Sequence, residues 1–279
     1  MDIRKGLLRG TWYPDTKEEC EMFISSCSKQ IKVSRKIYGG VVPHAGWYFS
    51  GETAAMIIEA LSSADPDLVI VFGMHMHKGQ KIRIMAEGAY ETPLGILPVC
   101  EELVRAAGEE YDFEAETPYD FEPDNTIEVQ LPFIRHFIGE KSVFCCGLPP
   151  EKSSYEFGKY IGRKALELGF NPVVIGSTDL THYGPSYGYM PFGNAENAYE
   201  KIKNENDRRM INLIEKMDYE EVLKDSEKTL NACCSGAVAG ALGCAKALGA
   251  EKGVCADYSS SYEKRKSDSF VGYAGIYFE

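Results

Sequence analysis

Two kinds of apolar segment alternate along the chain and predict an α/β fold. Short apolar runs bounded by Gly, Pro or polar residues are typical of buried strands, and they occupy residues 37–42, 67–72, 82–85, 142–146, 172–175 and 269–278. Longer segments with helical spacing or many small residues predict helices at 18–28, 52–61, 101–107, 126–137, 154–168, 195–219 and 232–248. This alternation predicts a mixed or largely parallel central sheet with helices on both faces. No repeat or Pro/Gly-rich linker interrupts residues 1–279, so we predict a single domain.

Polar residues with ligand chemistry follow three of the predicted strands. His44 comes after the first strand, His75 and His77 after the second, and Asp179 and His182 after the fifth. The carboxyl ends of parallel strands meet at one edge of a sheet, where ligands commonly bind. His75 and His77 are two positions apart, so in an extended segment their side chains point the same way. We therefore expect these groups to share one polar pocket.

The residue types in this pocket suit metal binding or proton transfer. Neutral imidazole is a common ligand for iron, copper, zinc and nickel, and two His with one carboxylate form the facial arrangement of non-haem Fe(II). The same groups can act as general acid and base. Cys233 is a further candidate, because it stands at the start of the predicted helix 232–248. The helix dipole stabilises a thiolate at that position, which then serves as a metal ligand or a nucleophile.

Each of these residues also has an ordinary structural interpretation. A single His after a strand is more often a hydrogen-bonded loop residue than a ligand, and Asp179 can simply cap the next helix. Cys233 and Cys234, which stand among Ala and Gly, suit a core of small residues. The repetition of one placement after three strands favours the pocket over these separate explanations.

Composition and charge exclude several classes of protein. The chain has 30 basic and 42 acidic residues and a net charge of -12, which argues against a general nucleic-acid or anionic-membrane surface. No apolar stretch reaches the ~20 residues of a membrane span, and the N-terminus lacks the apolar core of a signal peptide. We therefore expect a cytoplasmic protein with reduced cysteines. The nine cysteines contain no C-x-x-C pair, and no phosphate-binding, Rossmann, G-x-S-x-G or H-E-x-x-H motif is present.

Six segments together resemble the Memo family, whose microbial members are also called AmmeMemoRadiSam system protein B. The first is G-T-W-Y-P, the second contains P-H-A-G-W, and the fourth contains E-V-Q-L-P-F. The fifth, S-T-D-L-T-H-Y-G, contains the Asp179–His182 pair. The set is specific although no single segment is, and it runs nearly end to end, at residues 10–14, 42–47, 88–95, 127–133, 177–184 and 272–274.

The resemblance implies an architecture like that of the class III extradiol dioxygenases, which are non-haem iron enzymes with an α/β fold. It implies that His44, His75 and Cys233 are metal ligands and that Asp179 and His182 are the catalytic pair. The implied ion is Fe(II) or copper, with zinc ranked behind them. By gene association only, the family name implies a radical-SAM partner.

Three positions depart from the family pattern or leave the assignment open. The family's G-P-S/N-H segment is replaced by G-M-H-M-H at 73–77, so His77 or, without a gap, Met76 competes with His75. A shift of one residue would make Cys234 the family cysteine. Asn125 stands where the family usually has a His, which removes a candidate proton shuttle.

Three functions compete at this point. The first is a metal-dependent oxidoreductase acting on an unknown small molecule. The second is a non-catalytic module that binds a peptide or protein in the same cleft, with an aromatic loop of Tyr183, Tyr187, Tyr189 and Phe192 as its wall. The third is a thiol- or metal-dependent hydrolase with Cys233 as nucleophile and His182 as base.

Overall fold

The computed structural model describes residues 1–31 and 35–279. The strands in this part of the chain are β1 (Ile3–Arg4), β2 (Gly39–Val42), β3 (Leu68–Gly73), β4 (Ile82–Met85), β5 (Ala89–Thr92), β6 (Gly95–Pro98), β7 (Phe113–Glu116), β8 (Ser142–Gly147), β9 (Pro172–Ser177), β10 (His182–Tyr183), β11 (Gly253–Ser260) and β12 (Phe270–Phe278). The α-helices are α1 (Lys17–Ser26), α2 (Trp47–Ser62), α3 (Glu101–Gly108), α4 (Asn125–Glu128), α5 (Leu131–Phe137), α6 (Lys152–Glu167), α7 (Ala195–Lys201), α8 (Arg208–Glu215), α9 (Tyr219–Thr229), α10 (Ser235–Leu248) and α11 (Ser261–Lys264). None of the helices in the described ranges is both long and apolar enough to cross a membrane.

The described residues form one large mixed sheet, as predicted. Its strand order is β10-β12-β2-β9-β3-β8-β4-β7, and β11 pairs with β12. The four central strands β2, β9, β3 and β8 are parallel neighbours. Antiparallel pairs join β12 to β2 and β4 to β8. A separate small sheet contains β1, β5 and β6.

Helices cover both faces of the large sheet, which explains why its central strands are apolar throughout. A Cβ on Gly40 would meet Ile57 of α2, whereas a Cβ on Gly176 would meet Ala241 of α10. Val41 is paired with Gly176 and is adjacent to Gly40 in the chain, so α2 and α10 lie on opposite faces. The prediction of an α/β sheet with helices on both faces is confirmed.

Helix α10 packs against its surroundings backbone to backbone. A Cβ on Gly158 of α6 would overlap the backbone of Gly240, and a Cβ on Gly236 would overlap the carbonyl groups of Leu148 and Pro149. The glycines therefore allow an approach that no other residue permits. This contact fixes where α10 begins, and Cys233 lies two residues before that point.

The predicted elements differ from the structure mainly where polar residues are paired or where helices are interrupted. The β5–β6 hairpin was not predicted, nor were the short strands β1, β7 and β10, the edge strand β11 and the helix α9. The segment predicted as one helix at 195–219 contains α7, a π-helical stretch at Ile202–Asp207 and α8. Its end is set by Met217, which has a φ of 54°, and by Asp218, whose side chain caps α9. α5 begins at Leu131 as a separate helix, because the ring nitrogen of Pro132 in its first turn cannot donate a hydrogen bond.

Candidate functional site

The carboxyl ends of β2, β9 and β3 lie side by side and bring together the side chains that follow them. Thr178 N donates to the carbonyl oxygen of Val42 over 2.9 Å, which continues the pairing of β2 and β9 past the end of the sheet. A cavity of about 670 Å³ opens at this edge, and His44, His75, Asp179 and His182 contribute to its wall. The convergence expected from strand order is therefore present.

His44 is buried, and both of its ring nitrogens have neighbours. Its Nδ1 lies 3.2 Å from Ser177 Oγ, and its Nε2 lies 3.2 Å from Cys233 Sγ. The Ser177 hydroxyl donates its single hydrogen to the carbonyl oxygen of Thr126 over 2.6 Å. Ser177 Oγ must therefore accept from His44 Nδ1–H. Nε2 is then the nitrogen that becomes free to bind an ion when the ring loses a proton.

Cys233 is surrounded by groups that stabilise its thiolate. The backbone N–H of Asp179 donates to Cys233 Sγ over 3.3 Å, and Cys234 Sγ lies 3.8 Å away. Burial alone would raise the pKa of Cys233, but the Cys234 thiol and the His44 and His182 imidazoles lower that pKa well below its ordinary value. Burial and the adjacent Cys233 raise the pKa of Cys234 well above its ordinary value. Of the two adjacent sulfurs, Cys233 is thus the one whose surroundings favour the thiolate.

Asp179 lies between two imidazoles. Its Oδ1 accepts from the backbone N–H of His44 over 2.8 Å, and its Oδ2 is 3.9 Å from His44 Nε2 and 3.7 Å from His182 Nε2. His182 Nε2 is buried and has no hydrogen-bond partner within residues 1–31 and 35–279. Burial opposes a charge on both rings, but Asp179 and Cys233 raise the pKa of His44 to about 9 and that of His182 to about 10. Both imidazoles are therefore protonated at neutral pH in the metal-free chain.

Four side chains form a group that is compatible with metal binding. The ligand atoms of His44, His75, Cys233 and Cys234 all lie within 4.8 Å of one another. The ring of His75 meets that of His44 edge-on, with 5.0 Å between centroids, and His75 is the exposed member of the group. Asp179 and His182 lie beside this group.

His77 has a different location from His75. Met74 has a φ of 65°, so the chain turns directly after β3 and does not continue as a strand. His77 lines an adjacent cavity of about 360 Å³, to which His75 also contributes. Its backbone N–H donates to Gln80 Oε1 over 2.7 Å.

Residues from the α4–α5 region support the site, although their roles were not predicted. Asn125 Nδ2 donates to the carbonyl oxygen of His44 over 3.1 Å, so the residue that replaces the family His holds the backbone of a candidate ligand. Gln130 Nε2 donates to the carbonyl oxygen of Pro43 over 2.8 Å. Glu128 Oε1 accepts from the Tyr13 hydroxyl over 2.9 Å, which connects the N-terminal segment to α4. The resemblance marked Glu128 and Gln130 as motif positions without indicating these contacts.

A buried carboxylate in the π-helical stretch anchors the loop that contains Asp179 and His182. Asp207 accepts hydrogen bonds from the backbone N–H and hydroxyl of Thr181 and from the Tyr258 hydroxyl. Burial raises the pKa of Asp207 to about 6, although these hydrogen bonds oppose the shift. Asn206 Nδ2 donates to Thr181 Oγ1 over 2.9 Å. The sequence does not single out Asn206 and Asp207, because both lie inside the segment predicted as one charged helix at 195–219.

The aromatic loop expected to form a cleft wall is mostly core. Tyr187 lines the 670 Å³ cavity, and its ring centroid is 4.8 Å from that of His182. Tyr183 is fully buried and stacks on Phe270, and Tyr189 and Phe192 pack against the same cluster. Of the four aromatic residues of this loop, Tyr187 is therefore the one that lines the cavity in the part of the chain that the structure describes.

Comparisons with known protein sequences cover almost the whole chain. A family model described as "Memo-like protein" matches residues 4–277. A MEMO1 family protein of Pyrococcus furiosus is 34% identical over 287 residues, which cover 98% of each chain. A MEMO1 family protein of Nitrosopumilus maritimus is 31% identical over 99% of each chain. Among solved structures, an uncharacterized protein of Escherichia coli K12 aligns with a TM-score of 0.45 and 13% identity, over 79% of this chain and 91% of that one.

Proposed function

This chain belongs to the Memo-like protein family, and we propose that it is a metal-dependent oxidoreductase that acts on a small molecule. His44, His75 and Cys233 hold Fe(II) or a copper ion, and Asp179 and His182 transfer protons beside it. The observation that carries the proposal is the group of imidazole and thiol donors with ligand atoms within 4.8 Å of one another.

The chemistry of the donors fits a transition metal. Thiolate and imidazole ligands favour copper, iron and zinc over magnesium or calcium. The lowered pKa of Cys233 supplies the deprotonated sulfur that such ions require. The buried Nε2 of His182 lacks a hydrogen-bond partner among the described residues. A ligand or substrate bound beside the donors could therefore form a hydrogen bond with this nitrogen.

The residues around the donors have separable roles. Ser177 holds the His44 ring through Nδ1 and so directs Nε2 toward Cys233. Asp179 orients the backbone of His44 with one oxygen and keeps the other oxygen facing both imidazoles. His182, which faces the cavity, is placed to give a proton to a bound substrate or to take one from it. When bound, the ion would polarise a substrate oxygen or exchange electrons with O2 or substrate.

The cavity supports a small-molecule substrate. Its volume of about 670 Å³ lies within the range of small-molecule sites, and its wall mixes aromatic, hydroxyl and charged groups, among them Phe49, Ser269 and Arg265. A peptide-binding module is less well supported, because Tyr187 is the one residue of the aromatic loop in the described wall.

The contact between Cys233 and His44 also favours a second candidate, a thiol-dependent hydrolase. A thiolate 3.2 Å from an imidazole nitrogen is the arrangement of an activated cysteine nucleophile. His44 and Asp179 are among the described residues that line the cavity, however, whereas Cys233 is not. This placement suits a ligand better than a nucleophile that must reach a substrate carbonyl.

Metal titration of anaerobically purified protein tests the proposal. We expect Fe(II) or copper to bind to the wild type, and His44→Ala to lose one equivalent, as measured by elemental analysis after gel filtration. The matched control is His136→Ala, since His136 is an exposed histidine outside the site. Equal metal content in the wild type and His44→Ala would refute the assignment, as would a wild type that binds no ion.

A further inference from the structure

The cavity next to the candidate site is lined by an unusual run of side chains. Met74, His75, Met76 and His77 follow β3 directly and alternate thioether with imidazole. All four line the cavity of about 360 Å³. Nothing in the proposed function uses the thioethers or His77.

The two methionine sulfurs converge on one point. Gly147 ends β8 and is paired with Gly73 of β3. A Cβ on Gly147 would lie 2.8 Å from Met76 Sδ, and it would also meet Met74 Sδ. The two sulfurs therefore approach each other above this glycine. A side chain at position 147 would separate or displace them.

The backbone after β3 holds this arrangement. Met74 has a φ of 65°, and its N–H donates to Thr126 Oγ1 over 2.6 Å. This turn directs the Met74 side chain back over β8. The Met74 side chain is buried, whereas Met76 is half-buried and His77 is exposed, so the sulfurs lie at the inner end of a cavity that opens to solvent.

The harder donors around this cavity already have partners. Asp124 Oδ2 accepts from the Thr126 hydroxyl and from the Ile127 N–H. Arg83 forms ion pairs with Glu114 at 2.9 Å and with Glu122 at 3.7 Å. Apart from His75, the thioether and imidazole donors among the described lining residues are Met74, Met76 and His77. Thioethers are soft ligands that suit Cu(I). A site of two neutral thioethers and one imidazole has no anionic ligand to stabilise a divalent ion such as Fe(II) or Zn(II).

We propose that Met74, Met76 and His77 form a second metal site that is selective for Cu(I). It lies beside the group of His44, His75, Cys233 and Cys234, called the His44 group below. Its ligands are two thioether sulfurs and one imidazole nitrogen. None of the three belongs to the His44 group, so the proposal holds or fails independently of the proposed oxidoreductase function. His75 lines both cavities and therefore lies between the two sites.

Methyl NMR of the intact protein tests the thioether ligands directly. The chain has nine methionines, and labelling their methyl groups with 13C gives one signal for each. We expect anaerobic addition of Cu(I) to shift the Met74 and Met76 signals in the wild type and equally in His44→Ala. Signals of Met22 and Met190, which are 69% and 45% exposed, should stay in place. Unmoved Met74 and Met76 signals, or equal shifts of the exposed methionines, would overturn the proposal.

Stoichiometry gives an independent readout. In competition with bicinchoninate, Met74→Leu/Met76→Leu should bind one Cu(I) fewer than the wild type and the same amount of Zn(II). Met22→Leu/Met190→Leu is the matched control and should bind as much Cu(I) as the wild type. If the double variant fails to fold, the single variant Met76→Leu can be used instead. It should bind the Cu(I) ion of the second site at least tenfold more weakly than the wild type. Unchanged Cu(I) binding in a folded Met76→Leu protein would count against the site.

Discussion

His44 Nε2 lies 3.2 Å from Cys233 Sγ, although 189 positions separate the two residues in the chain. One is delivered by the end of β2 and the other by the segment before α10. The contact places an imidazole with a raised pKa against a thiol with a lowered pKa, an arrangement that favours a proton on the nitrogen and a negative charge on the sulfur. An ion that binds both atoms must therefore displace the proton from the imidazole.

Removing the hydroxyl of Ser177 should weaken metal binding. Ser177→Ala takes away the acceptor that fixes Nδ1–H of His44, and loss of such a supporting contact typically lowers metal affinity about 10- to 100-fold. The dissociation constant can be measured by chelator competition. Ser153→Ala, at an exposed serine, is the control and should leave the constant unchanged. Equal affinities in the two variants would show that the Ser177 contact does not matter for binding.

Metal affinity should increase as the pH rises from neutral to about 9. His44 must lose a proton before Nε2 can bind an ion, and its pKa is raised to about 9. Above that pH the dependence should level off. Calorimetric titration in buffers of different ionisation enthalpy measures the protons released on binding. A binding constant without pH dependence below pH 9 would contradict the assignment of His44 as a ligand.

The metal-free protein should become less stable as the pH rises from 6.5 to 9. The folded-state pKa of His182 is raised from 6.5 to about 10, so the folded protein binds more protons than the unfolded one over this interval. His44 contributes in the same direction, but Cys233, with its lowered pKa, contributes in the opposite direction and offsets it. His182 therefore sets the slope, which should stay below about 1.4 kcal/mol per pH unit.

Urea unfolding at constant ionic strength measures this slope. We expect His182→Gln to flatten the pH dependence, because the unfolded and folded states then bind similar numbers of protons at this position. His136→Gln, at an exposed histidine, should retain it. If the free energy of unfolding of His182→Gln still falls with pH as in the wild type, another titrating group must cause the pH dependence.

Iodoacetamide should label Cys233 of the metal-free protein first. The thiolate is the reactive species, and Cys233 is the cysteine whose pKa is lowered, whereas burial raises the pKa of Cys234 and Cys244. Peptide mass spectrometry at neutral pH should show faster labelling at Cys233, and a bound ion should suppress it. Equal labelling of all nine cysteines would indicate that the thiolate assignment is wrong.

Asp207→Asn should destabilise the protein and loosen the loop of Asp179 and His182. An amide cannot accept as many hydrogen bonds from Thr181 and Tyr258, and leaving a buried donor unpaired costs about 1–3 kcal/mol. Denaturant unfolding measures the loss. Asp112→Asn removes an exposed carboxylate paired with Lys81 and should change the free energy of unfolding by less than about 1 kcal/mol.

The sequence predicts the sheet better than it predicts the peripheral strands. β3 and β9 are buried from end to end because helices cover both faces, and their apolar runs are recognisable without any tertiary information. β11 has the sequence G-V-C-A-D-Y-S-S, and its mixed polarity reflects an edge position beside β12. Its pairing depends on a partner that is distant in the chain, which a local pattern does not reveal.

The same distinction holds for the candidate site. His44, Asp179 and His182 follow strands that are parallel neighbours, so strand order alone brings them together. Asp207 reaches the site through a π-helical turn, and no periodicity in the sequence indicates such a turn. The turn at Met74, which ends β3 before His75 and His77, depends on a left-handed backbone conformation that methionine rarely adopts.

The contact of α10 with α6 through Gly158 and Gly240 has a consequence for exchange of the ion. Because the two backbones are in direct contact, we expect α10, which begins two residues after Cys233, to stay in place whether or not an ion is bound. If the site binds an ion as proposed, the sulfur of Cys233 should keep its position in the metal-free protein, and binding should require proton loss from His44 more than a rearrangement of the backbone. Among related proteins, substitutions should then be more frequent at the mouth of the cavity than at Gly158 and Gly240.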